Sequence, residues 1–367
     1  MRGIKIPIAK PYIDVDDKDS VLKVLESDFL SGGPNLSRFE KNFAKFLDIP
    51  FACAVSSGTA GLHLAVKTLG IDDGDEVITT PFSFIASSNC LLYERARPVF
   101  VDIEETTFNI DPKKIEATVT KRTKAILVVH IFGQTAQMDE ILKIAKKHNL
   151  MIIEDACESL GATYKGKMAG TFGDLGVFAF YPNKQMTTGE GGMIVTRFKK
   201  HLNLCKSLRN QGRNEDDKWL ESEILGYNYR LDEMSAALGI SQLKKLNWMI
   251  EERREIARQY NKQLANMQWV KTPNVGIDRT HTWFVYVIRV TNGKRDAVVK
   301  RLFKKGIQTR NYLPSIHLQP FMRKMFNYND GDFPISEKVS SETLALPIFV
   351  GLKAKDIKYV CDEIRKV

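Results

Sequence analysis

No stretch of this chain is long and apolar enough to span a bilayer. The longest apolar run, Ala125 to Phe132, is interrupted by His130 and falls well short of the ~18 residues a span requires. The opening Met1-Arg2-Gly3-Ile4-Lys5 has no apolar run leading to a small-residue cleavage site, so no secretory leader is expected. Cysteine is sparse. Cys53, Cys90, Cys157, Cys205 and Cys361 are scattered, odd in number and form no CxxC pair. That pattern supports neither a disulfide framework nor a structural zinc, so no metal is expected. Reduced thiols in a cytoplasmic protein are the plain reading. There is no repeat of fixed period and no low-complexity segment. The usual fingerprints are also missing: no GxGxxG after a strand, no GxxxxGK[ST], no HExxH and no GxSxG.

What is present is ordinary for a globular protein. Of 367 residues, 43% are apolar and 27% charged, enough for a sizeable core and against wholesale disorder. The length fits two or three domains, or one large α/β domain with an appendage. The net charge of +10 raises the question of an anionic partner. The lysines and arginines are spread through helical patterns instead of forming a basic stripe with interleaved aromatics. Nucleic acid and membrane are therefore not expected as partners.

From about residue 50 to 200, apolar strands alternate with helical patterns. Phe51–Val55, Val77–Thr79, Pro98–Val101, Ala125–His130 and Leu150–Glu154 lack polar alternation. This is the signature of a mainly parallel sheet covered on both faces. Gly176–Phe180 and Gly192–Thr196 read as two strands flanking a polar, glycine-rich loop. A long helix is predicted over Ser241–Met267. Beyond it, a strand over Thr282–Val290, a helix over Arg295–Lys305, a strand over Ile307–Tyr312 and a closing helix over Asp356–Val367 make a small α+β domain. The expected division is 1–248, with segment 1–50 packing on that large domain, and 249–367.

Three places could carry chemistry. Ser56-Ser57-Gly58-Thr59-Ala60-Gly61 stands between a strand and a helix, where free N–H groups and the helix dipole favour an anion. An ordinary N-cap is the plainer reading. Asp155 ends a buried strand, at the edge where α/β sheets bind ligands, or it caps the next helix. Lys184 lies in the loop Phe180 to Gly192, where desolvation can turn a lysine into a nucleophile. A surface lysine is the plainer reading. Together the three are what pyridoxal phosphate needs: an anion cradle, a carboxylate for the ring nitrogen and an amine for the aldehyde.

The chain resembles the DegT/StrS family of sugar aminotransferases, a branch of the fold-type-I pyridoxal phosphate enzymes. The resemblance is carried by Ser57-Gly58-Thr59-Ala60-Gly61-Leu62, Thr80-Pro81-Phe82-Ser83-Phe84, Glu154-Asp155-Ala156-Cys157-Glu158, Phe180-Tyr181-Pro182-Asn183-Lys184 and Gly189-Glu190-Gly191-Gly192. Gly33-Pro34 with Phe39-Glu40, Gly226-Tyr227-Asn228-Tyr229-Arg230 and His317-Leu318-Gln319-Pro320 extend it over nearly the whole chain. It implies an aminotransferase-like α/β fold and a two-stage transfer from L-glutamate to a nucleotide-linked keto sugar. It also implies a homodimer with shared active sites. Lys184 would bind the cofactor aldehyde as a Schiff base and then shuttle a proton. Asp155 would pair with the ring nitrogen, Phe84 would stack on the ring, and Glu158 would sit near its hydroxyl. Ser57, Gly58 and Thr59 would hold the phosphate. Asn228 would reach the phosphate in the neighbouring subunit. Tyr312 and His317 would lie near the sugar nucleotide. The choice of sugar would be written in segments such as Arg209 to Trp219 and Tyr312 to Tyr328.

One departure stands out. Relatives commonly carry Ser five residues before the lysine, where this chain has Ala179. A hydrogen bond to a charged group is worth roughly 1.5–3 kcal/mol, so weaker cofactor retention is expected. Competing readings are a keto-cyclitol aminotransferase, a sugar dehydratase of the same family (which Lys184 opposes) and a non-catalytic cofactor-binding regulator.

Overall fold

The structure, a computed structural model, describes residues 3–213 and 221–367. Two helices, α1 (Val15–Leu25) and α2 (Pro34–Leu47), come first. An alternation follows: β1 (Phe51–Val55), α3 (Gly58–Thr68), β2 (Glu76–Thr79), α4 (Ala86–Tyr93), β3 (Arg97–Phe100), α5 (Pro112–Ile115), β4 (Thr123–Val129), α6 (Met138–His148) and β5 (Met151–Asp155). A short hairpin, β6 (Thr163–Tyr164) with β7 (Lys167–Met168), leads to β8 (Leu175–Ala179) and β9 (Gly192–Thr196). Then come α7 (Lys199–Arg209) and the long α8 (Glu233–Leu264). The remainder is β10 (Val270–Lys271), β11 (Tyr286–Val290), α9 (Arg295–Lys304), α10 (Pro320–Phe326), α11 (Pro334–Glu342), β12 (Thr343–Leu346) and α12 (Ala354–Arg365). Among the described residues no helix is long and apolar enough to cross a membrane.

The large sheet has seven strands in the order β1-β9-β8-β5-β4-β2-β3. Within it β9 alone runs against its neighbours. Residues of β4 show why these strands lack polar alternation. Ala125, Leu127 and Val129 pack into the core beside α3 and α4, while Ile126 and Val128 pack into a second core with α6. Both faces are covered, so both sets must be apolar. Sequence chemistry sets the helix ends. Asp14 and Asp17 form a reciprocal capping box on α1. Pro34 opens α2, and Asp48, left-handed at φ 53, closes it.

Helix α8 begins at Glu233, upstream of the expected Ser241, because Asp232 caps it by accepting from Ser235 N–H at 2.8 Å. The apolar stretch from Ala236 to Ile240 is wrapped by other elements, so its lack of a polar face disguises the helix. The first half of α8, with Ala236, Leu246 and Met249, lies in the core under α2. Its second half, with Ile256, Tyr260 and Leu264, lies in the core of the three-stranded sheet β10-β11-β12. The expected boundary at 248/249 thus falls inside one helix.

Two further expectations differ from the structure. Ile307 to Tyr312 is not a strand; it makes only the isolated bridges Ile6–Ile307 and Arg310–Ala345. Of segment 1–50, α1 and α2 lie against the first half of α8 and the large-domain core, but the residues ahead of α1 reach the small domain. Lys5 and Ile6 donate to the Gly306 carbonyl, Ile8 accepts from Ile348 N–H, and Ile6 is buried in the small-domain core.

Phe43 of α2 is fully buried against Phe39, Phe178 and Phe180, tying the N-terminal helices to β8. Phe43→Ala should cost about 3–5 kcal/mol, read as a lower urea midpoint at an unchanged slope. A loss below about 1 kcal/mol would show that α2 is dispensable to the core.

Candidate active site

Strands β1, β5 and β8 run in parallel, so their carboxyl ends share one edge of the sheet. At that edge a cavity of about 430 Å³ is lined by Ser57, Gly58, Thr59, Phe84, Asp155, Glu158, Ala179, Lys184, Tyr312 and other residues. The lining includes eight of the ten site residues expected from the sequence. Asn228 and His317 are the two it leaves out.

The β1 end leads straight into α3. The Ser57 hydroxyl accepts from Ala60 N–H at 3.0 Å, so it is a helix cap as well as a cavity residue. The Gly58 and Thr59 N–H groups belong to the first turn, where helices leave donors without internal partners. The backbone is crowded here. A Cβ on Gly58 would lie 2.6 Å from Ala179 Cβ, and one on Gly192 would lie 2.6 Å from the Ser57 carbonyl. Only glycine allows the three strand ends to approach this closely.

Asp155 at the β5 end is held by two donors. Ser87 Oγ donates to Oδ2 at 2.7 Å, and Cys157 N–H donates to Oδ1 at 3.1 Å. Glu158 accepts from Phe132 N–H at 2.9 Å, and its other oxygen is 3.8 Å from Lys184 Nζ. Burial pushes the Glu158 carboxyl above its usual range, and the lysine charge only partly offsets this.

Lys184 lies in the turn between β8 and β9, where its N–H donates to the Tyr181 carbonyl at 2.9 Å. Its Nζ stands 4.0 Å from the Phe284 ring centroid, over the aromatic face. Its side chain is 13% exposed, so the amine faces the cavity and not bulk solvent. Phe84 lines the same cavity yet is 59% exposed, leaving much of its ring uncovered by protein. Tyr312 forms part of the wall, and burial drives its phenol well above the ordinary range.

His317 is fully buried against Phe333 and Tyr328, with Nε2 3.1 Å from Glu337. It does not line the cavity at which a contact with a sugar nucleotide was expected. The apolar cluster of Phe100, Ile316 and Met322 draws the segment inward. Asn228 is exposed and pairs with Asn210, while its neighbours Tyr227 and Tyr229 stack on each other and bond to Glu94 and His63. Of the specificity segment Arg209 to Trp219, residues 214–219 lie outside the described residues.

Sequence reasoning missed Ser87, Phe284 and Asn183. Ser87 sits on α4, four residues from Ser83, whose hydroxyl is 2.7 Å away; nothing local marks it. Phe284 lies in an apolar run that reads as core. Asn183 does carry a signal, its place beside Lys184. Its Oδ1 is buried without a hydrogen-bond partner, though the residue lines the cavity.

The donor set fits pyridoxal phosphate. A glycine-lined helix start suits the phosphate, Asp155 suits a protonated ring nitrogen, and Lys184 is, among the described residues, the one lysine lining the cavity. Ala179 presents a methyl to the cavity at the position where the resemblance led to the expectation of a hydroxyl, and Ser57, Thr59 and Asn183 are among the polar side chains that line it.

The sequence pattern of the DegT/DnrJ/EryC1/StrS aminotransferase family matches residues 11–365. The spore coat polysaccharide biosynthesis protein SpsC of Bacillus subtilis is 38% identical over 99% of this chain and 97% of its own length. GDP-perosamine synthase of Caulobacter vibrioides is 38% identical over 99% of this chain and 98% of its own. Among solved structures, PseC of Helicobacter pylori, an aminotransferase of pseudoaminic acid biosynthesis, superposes with a TM-score of 0.94 at 29% identity. The match covers 98% of both chains.

The raised Glu158 carboxyl gives a stability test in the cofactor-free protein. Its folded state holds the proton more tightly than the unfolded state, so stability falls as pH rises from the unfolded value through the folded one. Glu158→Gln should therefore melt higher than the parent at neutral pH, with the gap closing as pH drops below the usual glutamate value. Thermal melts across that range decide it; a constant gap would refute the assignment to burial.

Proposed function

The chain belongs to the DegT/DnrJ/EryC1/StrS aminotransferase family, and from that premise we propose that it moves an amino group from L-glutamate to a nucleotide-linked keto sugar. It is a pyridoxal phosphate-dependent aminotransferase. The observation that carries the reading is Lys184, Asp155 and the start of α3 on one cavity. A GDP-linked acceptor sugar is consistent with the name of one relative, and polysaccharide synthesis with that of another. Glutamate, phosphate and a diphosphate sugar are all anions, which a net charge of +10 favours by steering.

Pyridoxal phosphate, when bound, supplies an aldehyde for amine exchange and an electron sink that lets the adjacent C–H proton leave. The chain does the rest. Gly58 and Thr59 N–H groups, with the Ser57 hydroxyl, hold the phosphate against the helix start. The Asp155 carboxylate, fixed by Ser87 and Cys157 N–H, keeps a positive charge on the ring nitrogen. Phe84, largely uncovered by protein at the cavity, would lie against a face of the bound ring. Lys184 Nζ would be the base that removes a proton from the amino-bearing carbon of the donor and carries it within the site, and Glu158 would lie on the side of the ring hydroxyl. Tyr312 lies toward the sugar.

The working unit in this reading is a homodimer. Exposed Asn228, presented by two anchored tyrosines, is the residue that would enter the neighbouring site. Free cysteines suit a reducing cytoplasm.

The purified protein should be yellow, and L-glutamate alone should bleach that band while releasing 2-oxoglutarate. Mass spectrometry of the loaded protein against a panel of keto-sugar nucleotides should find one aminated product. Lys184→Ala should slow both stages by at least about a hundredfold. Normal turnover in that variant would remove Lys184 from its role.

A further inference from the structure

We propose that Arg253 is a positioning residue, fixing the Phe284 ring against the Lys184 amine by holding the backbones of both. Arg253 is 3% exposed and sits where α8 passes from the large core to the small one. Its Nη1 donates to the carbonyls of Trp283 at 3.2 Å and Phe284 at 3.4 Å. Its Nη2 donates to the carbonyl of Lys184 at 3.3 Å. The residues so tethered meet again in the cavity, where Lys184 Nζ lies 4.0 Å from the Phe284 ring centroid. One guanidinium therefore sets both sides of a contact between elements about a hundred residues apart in sequence.

The charge has no carboxylate to balance it among the described residues. Burial alone lowers its pKa, to about 10, and it stays protonated at neutral pH. An unpaired buried cation is a poor device for stability. A rigid fork of donors is a good device for holding carbonyls in register. Gln185 ties the same seam one residue on, donating to Thr282 Oγ1 at 2.9 Å and to the Glu158 carbonyl. A reacting amine needs such a frame, because misplacement by about 1 Å can cost a hundredfold in rate.

The inference rests on the transaminase reading above. Arg253→Lys, Arg253→Met, Phe284→Leu and the double variant Arg253→Met with Phe284→Leu are compared with the parent. The readouts are thermal melting, visible circular dichroism of the bound cofactor, and the rate at which cofactor-free protein turns yellow with pyridoxal phosphate. The rate of bleaching by saturating L-glutamate completes the set. The expected result is folded single variants with altered dichroism and slower yellowing. Bleaching should slow by about tenfold or more at an unchanged half-saturating glutamate concentration. Arg253→Lys should not rescue, since one ammonium cannot span three carbonyls. The double variant should be no slower than the worse single one, because both changes break one contact. Bleaching within about twofold of the parent in a folded Arg253 variant, rates that multiply in the double variant, or loss of folding in both Arg253 variants would each overturn the proposal. A parent protein that takes up no cofactor, or keeps its colour with glutamate, would instead overturn the transaminase reading, and this inference with it.

Discussion

Gly192 pairs with Val55 on one side and with Ala179 on the other, and the cavity depends on that double pairing. The strands β1, β5 and β8 bring their carboxyl ends to one edge, which gathers Gly58, Asp155 and Ala179. Strand β9 runs back between β1 and β8. The chain that joins β8 to β9 must therefore turn over the same edge, and Lys184 lies in that turn. With β9 parallel, the connection would cross a face of the sheet and the amine would leave the site. The absence of a side chain at Gly192 is what lets the turn close against the Ser57 carbonyl.

The buried charges fall into two groups. Glu154 accepts from Gly170, Phe172 and Gly173 N–H groups and pairs with His130. Since Ala136 N–H donates to His130 Nδ1, the His130 proton sits on Nε2 and points at Glu154. Arg209 is likewise held by Glu40 and the Ala54 carbonyl. These groups have their partners and serve the fold. The cavity groups are less complete. Lys184 Nζ is 3.8 Å from its nearest carboxylate oxygen, and Asn183 Oδ1 has no partner. Under-coordination next to saturated neighbours is how a protein keeps donors and acceptors ready for a ligand.

The small domain closes the site through fixed contacts. Arg289 of β11 pairs with Glu342 in its own domain and with Glu105 across the junction. Asp102, just beyond β3, accepts from Ile335 and Ser336 N–H groups at the start of α11. Ile316 N–H donates to the Pro81 carbonyl at 2.7 Å. These bonds seat the segments that carry Phe284 and Tyr312 against the sheet edge. The wall they form joins two parts of the chain that α8 separates.

Much of this was legible without coordinates, and the physical reason is locality. Apolar strands without alternation, small residues between a strand and a helix, an acid at a strand end and a lysine in a glycine-rich turn are each properties of a few consecutive residues. Parallel strands then collect such ends at one edge, so Gly58, Asp155 and Lys184 could be grouped from the sequence. The start of α8 and the loop over Ile307–Tyr312 were not legible, because an element covered on all sides shows no periodic face and isolated bridges leave no pattern. Ser87, Phe284 and the inward turn of His317 depend on which distant elements touch. A serine on α4 reaches Asp155, and a phenylalanine that reads as core meets an amine instead, only once the sheet, α8 and the small domain are packed together. The sequence by itself determined the chemical groups and the edge they share. Tertiary packing decided which side chains complete the cavity, since contacts between residues far apart in the chain leave no trace in local spacing.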